Sequence, residues 1–473
     1  MNELDTLRKD GAAAKVKETA SSDAGHHPDK QQLAEGKSLR KQTPRSAQGI
    51  FKPSLDRRNP IQILEESSAN RVPHLVPIRY GRMLQSPFAF FRGGAAIMAA
   101  DLAHCATTGL RVQACGDCHL LNFGVFATPE RRLVFDINDF DETLPAPWEW
   151  DVKRLATSFV IASRHNKFKR SQARAVALAC CRSYRVQMTR FAAMRAIDVW
   201  YEQVDVKDLL ERLPEKAFTR RDLDEIRNAA HGATEHDFPK LLEQFGQQTL
   251  IRDNPPLIYH PQHAEAVEFV GHLRSAFNGY RASLPEDRRV LLDRYALTDH
   301  AVKVVGVGSV GTRCGIFLLM AGPGDPLFLQ VKEALVSVLE PYSARSAYEP
   351  GQRVVVGQRL MQAASDLFLG WTRGENGKHF YIRQLRDVKI KPLVEVYDAG
   401  TMAMYADSCG WVLARAHARS GEPKEISAYL GTSDAFDEAI ADFAEEYANQ
   451  NERDYATFEC AVQEGRLPAE VER

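Results

Sequence analysis

Residues 301–334 read AVKVVGVGSVGTRCGIFLLMAGPGDPLFLQVKEA, and they narrow the possible folds more than any other stretch. Gly306, Gly308 and Gly311 stand in the order G-x-G-x-x-G, which serves two different phosphate-binding machines. In a dinucleotide-binding unit a helix follows the last glycine at once, and an acid comes about twenty residues on, a place Glu333 would fill. In a hairpin that covers nucleotide phosphates a strand follows instead and leads to a lysine on the next strand. Here Pro-Gly-Asp-Pro separates the apolar runs GIFLLM and LFLQVK. Such a turn between two apolar runs predicts a β-hairpin, with Lys332 on its second strand.

A second stretch, QACGDCHLLNFG at 113–124, poses a choice between chemistries. Cys115-Gly-Asp-Cys118-His119 has the spacing of a c-type haem attachment, and Cys-x-x-Cys is also a redox pair. The opening MNELDTLRKDGAAAKVKETASS is polar, without the apolar segment of a secretory signal, so a cytoplasmic location is expected. Haem attachment and disulfides belong to exported compartments, and eight cysteines in 473 residues are too sparse for a disulfide scaffold. A redox dithiol opens a helix after a strand, whereas the following LLNFGVF reads as extended. The reading adopted is two cysteines flanking a tight loop. In that loop Asp117 and Asn122 have the separation of a phosphotransferase's base and metal-binding asparagine.

The next acids fit the same chemistry. In DINDFDETLPAPWEWDVKRLA, Asp136 and Asp139 are both placed to end a strand and hold Mg²⁺. Asp139, followed by Phe140 and Asp141, has the better spacing to Pro147 and Asp151. Asp151 then reads as structural, a carboxylate at a helix start that accepts backbone N–H bonds near the loop.

The fold class expected is α+β, in four segments. Residues 1–48 lack apolar periodicity and read as disordered. Residues 49–300 read as a mainly helical region that carries the loop, with FGVFATPERRLVFDINDF as two strands around a turn. Residues 301–392 read as a small β-rich region in which HFYIRQLRDVKI is another strand pair, and 393–473 return to helices. Residues 151–200 carry 11 Lys/Arg against 2 acids, and 430–473 carry 12 acids against 3 Arg. This asymmetry predicts helices of opposite sign packed together, with a basic face for an anionic substrate as the other reading. A net charge of −1 gives no field to attract nucleic acid, and no apolar run is long enough to span a bilayer.

With these motifs in place, CGDCHLLNFG resembles the catalytic loop of the protein-kinase-like superfamily, especially its aminoglycoside-phosphotransferase and small-molecule kinase branch. INDFDETLPAPWEWD resembles that branch's metal-binding segment. More narrowly, SPFAFFRGGAAIMAADLA, GDCHLLNFG, FDINDFDETLP and GQRLMQAASDLFLGW together resemble a bacterial family of uncharacterised proteins, over nearly the whole chain. The resemblance implies a two-lobe kinase-like fold, but the motif order is abnormal. Here the loop and metal segment precede the glycine loop and lysine by about two hundred residues. GWVLARAHARSG, with His417, resembles the helix that normally leads into the catalytic loop, so a circular permutation is expected. Two departures stand out. Cys115 occupies the usual place of a histidine, and only Glu340 and Glu349 offer themselves as the lysine's glutamate partner.

The implied cofactors are ATP and Mg²⁺. Asp117 would be the base, Asn122 and Asp139 (with Asp136 as the alternative) the metal ligands, and Lys332 the phosphate-neutralising cation. Gly306, Gly308 and Gly311 would cover the phosphates, and adenine would meet the backbone from Gln384 to Arg386. Arg92 and Arg313 are either further phosphate-facing groups or ion-pair partners. The acceptor is a hydroxyl on a small molecule or a protein; a sugar, an amino alcohol, an antibiotic and a protein side chain all suit these residues. Two other functions remain open: an NAD(P)-binding oxidoreductase built on the glycine loop, and a catalytically silent nucleotide-binding module.

Overall fold

The computed structural model describes residues 29–470 except 213, 215–240, 246–247, 256, 261–275, 304–309, 375–376, 386–388 and 391. It is a mixed α+β chain with antiparallel sheets. The first part holds helices α1 (Asp29–Gln42), α2 (Pro60–Ser68), α3 (Val76–Met83), α4 (Pro87–Gly93) and α5 (Ala95–Leu102). Strands β1 (Arg111–Ala114), β2 (Phe123–Ala127), β3 (Leu133–Ile137) and β4 (Leu144–Pro147) follow. Then come α6 (Trp148–His165), α7 (Arg170–Ala192), α8 (Ala196–Tyr201), β5 (Val204–Asp205) and α9 (Val206–Arg212).

The second part begins with β6 (Leu242–Phe245), β7 (Gln248–Ile251), β8 (Ile258–Tyr259) and α10 (Glu286–Leu292). It continues with β9 (Ala296–Lys303), β10 (Cys314–Gly322), β11 (Asp325–Ala334), α11 (Pro350–Met361), β12 (Gly370–Arg373), β13 (His379–Gln384) and β14 (Lys389–Ile390). Helices α12 (Ala399–Ser420), α13 (Pro423–Leu430) and α14 (Ala435–Gln463) complete the chain.

The hairpin expected around Pro-Gly-Asp-Pro is β10–β11, paired from Cys314↔Lys332 to Gly322↔Asp325. It sits inside a six-stranded antiparallel sheet of order β12-β13-β11-β10-β9-β8. Period-two alternation gives this sheet two apolar faces. Phe317, Leu319, Leu327, Leu329 and Val331 pack with Tyr280 and Phe380. Ile316, Leu318 and Phe328 pack with Ile251 and Ile258. Lys332 therefore shares the face of Phe328 and Gln330.

Three expectations need correction. Residues 29–48 are ordered: α1 lies on α13, and the Arg40 and Arg45 guanidiniums donate to the carbonyls of Ala428, Tyr429 and Leu430. These cations close the C-terminal end of a helix, where carbonyls lack partners, so order comes from capping and not from an apolar stripe. The sheet starts before residue 301, because β8 and most of β9 belong to it. Finally, β13 and β14 do not pair with each other; β14 joins β2 in a four-stranded sheet of order β14-β2-β3-β5.

The charge asymmetry resolves into ion pairs between helices of opposite sign. Arg174 meets Glu438 and Asp442, Arg170 meets Glu445, and Arg185 meets Asp437, all between α7 and α14. No helix among the described residues is long and apolar enough to cross a membrane.

Candidate active site

The β2–β3 register brings the two acidic stretches together. Phe123 pairs with Ile137 and Gly124 with Asp136, so Asn122 and Asn138 leave the sheet side by side. The Asn138 N–H donates to Asn122 O at 2.7 Å. Asn122 in turn donates from Nδ2 to Asp117 O at 2.5 Å, which commits its nitrogen and leaves the amide oxygen to accept.

The loop itself is fastened from below by α6. Asp151, in that helix's first turn, accepts from the N–H of Cys115 at 2.6 Å and of Gly116 at 3.0 Å, as its position predicts. Gly116 has φ +84°, and a Cβ there would fall 2.5 Å from Glu142 O, so the turn demands glycine. The same Asp151 carboxylate meets His417 Nε2 of α12 at 3.2 Å, while His417 Nδ1 meets the Tyr184 hydroxyl at 2.9 Å. A carboxylate that already accepts two backbone N–H bonds accepts here as well, so His417 donates to it from Nε2. The end of α12 lies against β1, where Gln113 N–H donates to Ser420 Oγ at 3.1 Å.

Asp117 is held by Arg154 of α6, whose Nε and Nη2 reach Oδ1 at 2.8 and 2.5 Å. Arg154 also donates to Phe91 O at 3.0 Å and lies over the Phe91 ring. The other carboxylate oxygen faces His119 Nε2 at 3.9 Å. Burial pushes the His119 imidazole down to about 3, with Arg92 and Arg154 acting in the same direction and Asp117 against it. His119 is therefore neutral at ordinary pH. Burial holds the Cys118 thiol well above its usual value, and both Cys115 and Cys118 are free.

The structure uses the two acids of DINDFD differently. Asp136 accepts from Arg415 Nη2 at 2.8 and 3.0 Å and from the N–H groups of Ile137 and Ala363 at 2.8 Å each. Both its oxygens are engaged, so the alternative metal-ligand role expected for it falls away. Asp139 and Asp141 instead meet Lys332 of β11, at 3.6 and 2.8 Å. Tyr381 of β13 donates to the other Asp141 oxygen at 2.6 Å. Burial raises the Asp141 carboxyl, but the Lys332 charge and the hydrogen bonds from Lys332 and Tyr381 outweigh it and hold Asp141 well below the usual carboxylate range. Burial likewise opposes charge on Lys332, and Asp139 and Asp141 together reverse that, keeping the ammonium charged.

Neither expected glutamate reaches Lys332. Glu349 pairs with His379 at 3.2 Å, and no ion pair joins Glu340 to the lysine. On α11, which packs against β11, Arg353 faces the acidic segment and donates to the carbonyls of Asp141, Thr143 and Leu335. Arg313 is an ion-pair partner, bonded to Glu333 at 3.2 Å. Gly306, Gly308 and Arg386 lie outside the described residues. Gly311 has φ +89° and is tied to the helical region: its carbonyl accepts from Val72 N–H at 2.7 Å, and Arg71 Nη1 donates to Val310 O at 2.6 Å. Gln384 closes β13, its N–H on Asp366 Oδ1 at 3.3 Å.

Sequence reasoning passed over Asp141, Arg154 and Arg353. The repeated acid in NDFDE was the one signal for Asp141; the two arginines carry none. Among the described residues no group of three or more His, Cys, Asp or Glu is gathered to hold a metal ion. A site of one asparagine and one aspartate, completed by substrate phosphates, does not need such a group.

The fold and site thus define an α+β protein with a half-buried acidic segment that meets a lysine of an antiparallel sheet. Over residues 71–461 the chain matches the family described as an uncharacterized protein conserved in bacteria, DUF2252, and it belongs to that family. No curated protein and no solved structure matches it.

Proposed function

We propose that the protein is a Mg²⁺-dependent, ATP-using phosphotransferase with a circularly permuted kinase-like fold. The observation that carries this reading is the bond from Lys332 to Asp141 across 191 residues, three positions along the chain from Asn138, whose N–H bonds to Asn122 beside the loop. A lysine on the second strand of a glycine-loop hairpin, set against a metal-type acidic segment, is the arrangement phosphoryl transfer requires. Two further observations support it. A strand follows Gly311 where a dinucleotide-binding unit needs a helix. The end of the His417 helix adjoins β1 although the chain reaches the loop from elsewhere, as permutation entails.

In this reading Asp117, oriented by Arg154, takes the proton of the acceptor hydroxyl. The acceptor oxygen bonds to the γ-phosphorus while the bond to the β–γ bridging oxygen breaks, and ADP leaves with that electron pair. Asn122 and Asp139 supply hard oxygen ligands for Mg²⁺, which neutralises phosphate charge when bound. Lys332 shares that task, the glycine loop covers the phosphates, and the strand end at Gln384 meets adenine. A silent binding module is the second reading, favoured by one observation: among the described residues no ion pair joins Lys332 to a glutamate.

Thermal unfolding with MgATP and, separately, NADH tests these readings on wild type, Lys332→Ala and Asp139→Asn. A ligand at 100 times its dissociation constant adds about 2.7 kcal/mol. Stabilisation by MgATP that both substitutions abolish is expected, and ADP release on adding an acceptor then separates enzyme from silent module. Stabilisation by NADH alone would sink the proposal.

A further inference from the structure

A cavity of about 260 Å³ opens between α4, the C-terminal end of α6 and the turn Val394–Val396. Its walls are fixed. Ser86 Oγ caps α4 by accepting from Ala89 N–H at 3.0 Å, and Asn166 Nδ2 donates to Val394 O at 2.6 Å. Phe88, Ala89, Ala162 and Val394 give it buried apolar surface. Arg92 supplies the charge. Its Nε is sealed from solvent without a hydrogen-bond partner, and no ion pair reaches the side chain among the described residues. The residue before it, Phe91, gives its carbonyl to the same Arg154 that holds Asp117, so the cavity wall and the candidate base share one anchor.

An arginine that faces a polar cavity and makes no ion pair among the described residues is poised for an anion, because its planar fork matches a carboxylate or phosphate. We propose that this cavity is the acceptor subsite and takes a metabolite-sized molecule whose carboxylate or phosphate sits on Arg92. The volume lies just below the range of about 300–1,000 Å³ that holds drug-sized ligands, which suits a metabolite-sized molecule better than a multi-ring antibiotic or a protein segment. The acceptor role rests on the phosphotransferase reading; the anion site rests on the cavity and Arg92. Glu395 on the rim sets a sign: its charge repels an anion bound on Arg92.

The test is titration with inorganic phosphate and with glycerol 3-phosphate, at ionic strength matched with chloride and without nucleotide. Binding is followed by calorimetry on wild type, Arg92→Gln, Glu395→Gln and Lys332→Ala. Arg92→Gln is expected to weaken binding by about 10- to 100-fold, the loss of one charge-assisted pair. Glu395→Gln, at an exposed position that leaves the core intact, is expected to tighten it a few-fold, and Lys332→Ala to leave it unchanged. Equal affinity in wild type and Arg92→Gln, or weaker binding in Glu395→Gln, overturns the proposal. Binding lost in Lys332→Ala and kept in Arg92→Gln also overturns it, by moving the anion to the nucleotide site. Arg92-dependent binding in a protein that MgATP fails to stabilise supports the anion site and defeats only the phosphotransferase reading.

Discussion

Asp136 and Asp139 stand three residues apart and answer to different regions of the molecule. Asp136 belongs to the helical region, where Arg415 and two backbone N–H groups take both its oxygens. Asp151 and His417 are committed in the same way. Asp139 and Asp141 face the sheet region, where the Lys332 ammonium meets both and the Tyr381 hydroxyl donates to Asp141. Backbone-anchored charges make a rigid floor for the loop. Side-chain pairs across a seam can exchange partners at small cost, which is what a site that admits a charged ligand needs. On the proposed phosphotransferase reading, the contrast leaves structure to the first set and chemistry to the second.

The largest effect is expected at the floor. Replacing Asp136 by Asn leaves the Arg415 guanidinium buried and uncompensated, a loss of about 3–5 kcal/mol in urea unfolding. Adding Arg415→Met should recover much of it. A loss below about 1 kcal/mol would place Asp136 with the exchangeable acids and dissolve the contrast.

Next in size is a pH dependence that separates the two regions. His119 is pushed down to about 3 in the folded chain, against about 6.5 when unfolded. The unfolded chain therefore takes up the proton first. The contribution of His119 is complete above about pH 6.5 and falls by about 1.4 kcal/mol per unit as pH drops towards 3. Asp141, held below the usual carboxylate range, acts in a lower window. Its stabilisation is present above about pH 3.9 and is lost as pH falls further. His119→Gln should flatten the upper window alone, and Lys332→Met the lower alone; a single slope unaffected by His119→Gln would contradict the separation. A smaller effect belongs to Gly311. Its φ of +89°, and the 3.0 Å that a Cβ added there would leave to the Arg71 Cβ, mean that Gly311→Ala should cost about 1 kcal/mol.

Local chemistry was legible in the sequence wherever it sufficed. The Pro-Gly-Asp-Pro turn between apolar runs announced the hairpin, and the spacing from the loop to Asp151 announced its backbone bonds. Choices settled by distant partners were not legible. Whether Asp136 or Asp139 was structural depended on Arg415, 279 residues away. The order of α1 depended on carbonyls 389 residues on. Asp141 as the partner of Lys332 ran against the resemblance, which pointed to a glutamate, Glu340 or Glu349; the helix that starts after Glu349 presents Arg353 instead.

The smallest stability effect is the most discriminating. Asp139 is more than a third exposed, and its ion pair with Lys332 at 3.6 Å is longer than that lysine's pair with Asp141. Asp139→Asn keeps the shape, and Lys332 keeps Asp141, so unfolding free energy should move by no more than about 0.5 kcal/mol. The same substitution removes the one charged ligand assigned to Mg²⁺, so stabilisation by MgATP should disappear while stabilisation by the anion on Arg92 persists. A variant that loses several kcal/mol would show Asp139 to be part of the floor, as Asp136 is. A variant that unfolds normally and still responds to MgATP would move the metal site elsewhere, with Asp141 next to be tested through Asp141→Asn. Only quiet unfolding joined to a lost nucleotide response keeps the seam as the place where the chemistry happens.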